Sequence, residues 1–93
     1  MRDVMRVRAT VRGRVQMVGF RAFVLDRADT LEVRGTVANR PDGTVECVVE
    51  GPRDEVERLI QSLREGPRSA RVDSVDVIEQ PYRGDLPPMS LRA

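Results

Sequence analysis

The segment Gly13-Arg14-Val15-Gln16-Met17-Val18-Gly19-Phe20-Arg21 places glycine at both ends of a short loop and arginine shortly after it. Where a strand runs into such a loop and the loop into a helix, unpaired main-chain N–H groups collect, and the positive end of the helix dipole adds to them. A place of this kind binds an anion, phosphate above all. Arg21, in the first helical turn, adds a planar fork that grips two oxygens at once. Many strand-to-helix loops contain glycine and bind nothing, so the loop alone does not define a site. The rest of the chemistry is narrowed by what is missing. The chain has no His, no Lys and a single Cys, which excludes a histidine base, a Schiff base and a P-loop lysine, and leaves too few soft ligands for zinc.

The elements around this loop follow from hydrophobic periodicity. Met5, Val7, Ala9 and Val11 alternate with Arg6, Arg8, Thr10 and Arg12, the period-two pattern of a half-buried strand. From Phe20 to Leu31 the apolar positions Phe20, Phe23, Val24, Ala28 and Leu31 fall at helical spacing. Two β-branched runs, Val33 to Asn39 and Thr44 to Glu50, flank Pro41-Asp42-Gly43, whose turn chemistry predicts a hairpin. Gly51 and Pro52 open a second helix carrying the stripe Val56, Leu59, Ile60 and Leu63, with Asp54 and Glu55 in its first turn and Gly66-Pro67 as its stop. A last strand lies around Val72 to Ile78, and the tail from Pro81 to Ala93 is irregular, with a short edge strand at Met89 to Leu91.

The order β-α-β-β-α-β predicts an α+β, ferredoxin-like sandwich, with both helices on one face of a four- or five-stranded, mainly antiparallel sheet and the other face solvated. The first strand then lies between the third and fourth. Its outward Arg6, Arg8 and Arg12 face Glu46, Glu50 and Asp76, and such cross-strand pairs contribute roughly 0.2 to 1 kcal/mol each. The first and second strands run parallel, so Asn39 ends near the loop after the first strand. Read alone, Asn39 is also an ordinary residue before a turn.

These residues resemble the acylphosphatases. That family's fingerprint Gly-x-Val-Gln-Gly-Val-x-Phe-Arg is met from Gly13 to Arg21 at every fixed position but one, and its second, Gly-x-Val-x-Asn followed by Pro-Asp-Gly-x-Val-Glu, is met by Gly35, Val37, Asn39, Pro41, Asp42, Gly43, Val45 and Glu46. The resemblance spans roughly Val4 to Ile78. It implies hydrolysis of a carboxyl-phosphate anhydride to carboxylate and inorganic phosphate, without metal or organic cofactor. It implies a phosphate cradle at Val15, Gln16, Met17, Val18, Gly19 and Phe20 with Arg21 as the fixed cation, and Asn39 as the residue that orients the attacking water. The departure is Met17, where the family has glycine. A side chain held in left-handed space costs ~1 to 2 kcal/mol, so weakened rather than abolished activity is expected.

Ninety-three residues suit one domain, 1–93, and sixteen basic against fifteen acidic side chains leave a net charge of +1, with no field that selects nucleic acid or an anionic membrane. No apolar run approaches the ~18 residues of a membrane span, and the N-terminus lacks the apolar core of a signal peptide. The expectation is a cytoplasmic, monomeric protein that meets a small acyl phosphate, with inorganic phosphate as product or inhibitor and neither nucleic acid nor membrane as partner. Two rivals share the topology. A non-catalytic phosphate- or acyl-phosphate-binding module follows if Met17 spoils the cradle. An RNA-binding domain would show aromatics on the open sheet face, where this chain has Arg6, Arg8, Arg12, Glu46 and Glu50. Cys47 is read as core, and Asp42 and Glu46 as turn and cross-strand residues.

Overall fold

A computed structural model of the chain describes residues 3–92. Its elements are β1 (Val4–Arg14), α1 (Phe20–Ala28), β2 (Arg34–Asn39), β3 (Val45–Pro52), α2 (Arg53–Glu65), β4 (Arg71–Gln80) and β5 (Ser90–Leu91). The sheet order is β4-β1-β3-β2-β5. β1 is antiparallel to both β3 and β4, and β2 is antiparallel to β3, so β1 and β2 run the same way. β5 adds to the free edge of β2 in parallel, which makes the sheet mixed.

The alternation seen in β1 is the alternation of burial: Met5, Val7, Ala9 and Val11 lie in the core with Val45, Cys47 and Val49 of β3 and Val37 of β2. Phe20, Val24 and Ala28 of α1 and Val56, Leu59, Ile60 and Leu63 of α2 close over them from one side. Cys47 is fully buried, as read. Burial first, then the neighbouring Glu46 charge, pushes its thiol up to about 12.

Three features differ from expectation by more than a strand end. The first helix ends at Ala28 rather than Leu31. There the Thr30 hydroxyl donates to the Arg27 carbonyl at 3.1 Å, a local bond that competes with helix continuation, and Leu31 packs onto the core from the turn instead. Gly51 and Pro52 do not open the second helix; they extend β3, paired with Met5 and Val4 of a first strand long enough to reach them. The third difference is the tail. Part of the open sheet face is covered, not solvated, because residues 83–91 bend back across the β2 edge.

Glu50 is the pivot of that arrangement. It is 1% exposed, and its carboxylate accepts the backbone N–H groups of Arg83 at 3.4 Å, Gly84 at 3.1 Å and Leu86 at 3.0 Å. The Arg6 guanidinium lies 3.6 Å away, the cross-strand partner expected from the register. Arg12 pairs with Asp76 at 2.9 Å. Arg8 stands opposite Val48 and Ile78, with no carboxylate directly across from it.

Candidate active site

The β1–α1 loop is held at both ends and in the middle. At its start, the β1–β4 register shifts between Arg12 and Gly13. Gly13 there has φ 131°, and a Cβ would collide with the Arg71 carbonyl, so only glycine lets β1 make this bulge. Val15 is buried beneath the loop. The Gln16 side-chain amide donates to two carbonyls of the β2–β3 turn, Arg40 at 2.7 Å and Thr44 at 2.8 Å. The Ser69 hydroxyl donates to the Val18 carbonyl at 2.6 Å. At the loop's end Gly19, φ 77°, caps α1 without any side-chain hydrogen bond. The helix begins with the Phe23 N–H to the Gly19 carbonyl at 3.0 Å, so the N–H groups of Phe20, Arg21 and Ala22 have no intrahelical acceptor.

Met17 takes φ 61°, the left-handed conformation that glycine supplies freely. Its side chain is wholly exposed. The expected strain is therefore present, and the side chain is turned out of the loop.

A cavity of 190 Å³ opens beside this loop. Val15, Met17, Gly19, Phe20 and Arg21 line it from the loop and helix start, and Asn39 from the end of β2. The two residues picked out from the sequence thus share one cavity. Among the described residues no ion pair or side-chain hydrogen bond engages the Arg21 guanidinium. The Asn39 Oδ1 is buried and has no hydrogen-bond partner among the described residues. A buried acceptor left so costs about 1 to 3 kcal/mol, and a catalytic role is one of the few reasons a native fold keeps such a group.

Gln16 and Val18 are expected to act through their main-chain N–H groups, and their side chains lie elsewhere: Gln16 faces the hairpin and Val18 packs against the core. Two lining residues were not anticipated, Ala22 and Leu91. Ala22 follows from its place in the first helical turn. The short edge strand at Leu91 was expected and is present as β5, but its pairing with β2, which brings Leu91 to the cavity, could not be read from the sequence, because the choice of partner strand is set by tertiary contacts.

The carboxylates near the site are structural. Asp42 accepts from the Thr44 hydroxyl at 2.6 Å and the Thr44 N–H at 3.0 Å, and these bonds, hydroxyl first, hold its carboxyl below the usual range. Glu46 lies 3.9 Å from Arg40. Neither lines the cavity.

The acylphosphatase family model matches residues 7–88. An acylphosphatase of Salinibacter ruber is 54% identical over 72 residues, 77% of this chain and 76% of that one. One from an Anaeromyxobacter species is 46% identical over 92 residues, 99% of each. The crystal structure of acylphosphatase from Bacillus subtilis superposes with a TM-score of 0.91 at 34% identity, covering 96% of this chain and 99% of that chain. The non-catalytic reading rested on Met17 displacing the loop; Met17 keeps the glycine-like conformation and gives that reading no support. With its sheet order, its loop and its two fingerprints, the chain belongs to the acylphosphatase family and hydrolyses acyl phosphates.

Proposed function

We propose that the cavity between the β1–α1 loop and the end of β2 is the active site for this hydrolysis. The phosphoryl oxygens sit against the main-chain N–H groups from Val15 to Phe20, and Arg21 grips two of them with its fork. Asn39 hydrogen-bonds a water molecule through its side-chain amide and holds it in line with phosphorus. The water oxygen attacks phosphorus, the bond from phosphorus to the acyl oxygen breaks, and the carboxylate departs with the bonding pair. The water's proton passes to a phosphoryl oxygen, since an amide is a poor base. Carboxylate is a good leaving group, so positioning and electrostatic stabilisation supply most of the rate.

The observation that carries this reading is the pairing, in one cavity, of a guanidinium and a buried amide oxygen that both lack side-chain partners among the described residues. The reading extends to a single-domain monomer with inorganic phosphate as a competitive product. Cytoplasmic residence fits a lone buried thiol.

The test is turnover of acetyl and benzoyl phosphate, with Arg21→Ala alongside. Arg21→Ala loses turnover by at least about a hundredfold and loses inhibition by phosphate with it, because the fork binds ground state and transition state alike. Full activity in Arg21→Ala removes this site from consideration.

A further inference from the structure

The phosphoryl end of the substrate fits among amides, so the acyl group must leave the cavity past its other lining residues, which include exposed apolar side chains. Among the described residues five large hydrophobic side chains are conspicuously exposed: Val4, Met17, Ile78, Tyr82 and Leu91. Two of them, Met17 and Leu91, line this one cavity. Met17 is 100% exposed on a backbone angle that side chains avoid. Nothing in the loop's packing uses its thioether, so the strain it brings has no structural return.

Leu91 reaches the rim by a long route. The Glu50 carboxylate holds the N–H groups of Arg83, Gly84 and Leu86. From there the Gly35 N–H donates to the Pro87 carbonyl at 2.8 Å, and the Arg92 N–H donates to the Val37 carbonyl at 2.9 Å. Thr36 pairs with Ser90 and Val37 with Leu91. The side chain so delivered is still 54% exposed, which makes it a poor contribution to the core and a ready surface for a ligand.

Resting on the reading of this cavity as the active site, we propose that Met17 and Leu91 form an acyl-side apolar wall that selects acyl phosphates with a bulky hydrophobic acyl group, aryl or branched, over acetyl phosphate. A flexible thioether and an isobutyl group suit such a group without demanding one shape. The wall acts on the part of the substrate that Arg21 and the loop amides do not touch.

The experiment is kcat/KM for benzoyl and acetyl phosphate in the wild type, Leu91→Ser, Met17→Gly and, as a control remote from the cavity, Ile78→Ser. Comparing the benzoyl-to-acetyl ratio between variants cancels the intrinsic reactivity of the two anhydrides and any general change in the loop. The ratio falls about threefold to tenfold in Leu91→Ser and in Met17→Gly, as loss of apolar contact dictates, and holds in Ile78→Ser. A thermal melt checks that each variant is folded. A ratio unchanged in both rim variants overturns the wall while leaving the hydrolytic site standing. A wild type that turns over neither anhydride overturns the site itself, and the wall with it.

Discussion

Asn39 is the most informative single residue. It ends β2 with a buried amide oxygen that has no hydrogen-bond partner among the described residues, a state that destabilises the fold and that a water-orienting role for this amide explains. Asn39→Ala therefore separates two quantities. It lowers kcat by about a hundredfold while inhibition by phosphate stays near its wild-type value, and it raises stability by about 1 kcal/mol because an unpaired buried acceptor has gone. Steady-state kinetics with a phosphate inhibition series and a denaturant melt give both; equal losses in kcat and phosphate affinity would contradict the water-orienting role. At this scale the sequence was highly legible. Arg21 and Asn39 stand in two spaced motifs, and parallel β1 and β2 bring their ends together. The approach of Leu91 to the site was not legible, since it depends on a carboxylate, Glu50, distant from it along the chain.

The loop and the β2–β3 hairpin behave as one element because of Gln16. A single amide nitrogen serves the carbonyls of Arg40 and Thr44, joining the segment before Arg21 to the segment after Asn39. Gln16→Glu keeps the shape and removes the donor. It loses two neutral hydrogen bonds, about 1 to 3 kcal/mol in all, and kcat/KM falls about tenfold because the two halves of the site drift apart. Hydrogen exchange then speeds up in both the loop and the hairpin; faster exchange in the loop alone would show that Gln16 does not couple them. The elements themselves were legible where the period was long. β1 and α2 have eleven and thirteen residues of clean pattern. The end of α1 was not, because Leu31 keeps helical spacing while sitting in a turn, and the start of α2 was not, because a proline that ends a strand looks the same as one that begins a helix.

For the molecule as a whole, Glu50 ties the C-terminal segment to the sheet. Burial alone would raise its carboxyl, but the N–H groups of Leu86, Gly84 and Arg83, with the Arg6 charge, outweigh that and hold it below its ordinary value of 4.5. A depressed folded-state value means the contribution is complete above the ordinary glutamate range and is lost as pH falls through the lowered value. Denaturant melts across the acid range therefore show stability declining with acid, and Glu50→Gln flattens part of that decline while costing about 1 to 3 kcal/mol near neutrality. An unchanged acid limb in Glu50→Gln would remove Glu50 from this role. The tail's path was illegible because polar contacts between distant segments leave no periodic trace. The interior position of Cys47 has one more outcome. An acyl phosphate is itself an acylating agent, ready to modify amines and thiolates. This chain has no lysine, and its sole sulfhydryl is sealed in the core with its pKa pushed up to about 12, so the reagent it destroys finds no amine or thiolate side chain on it to mark.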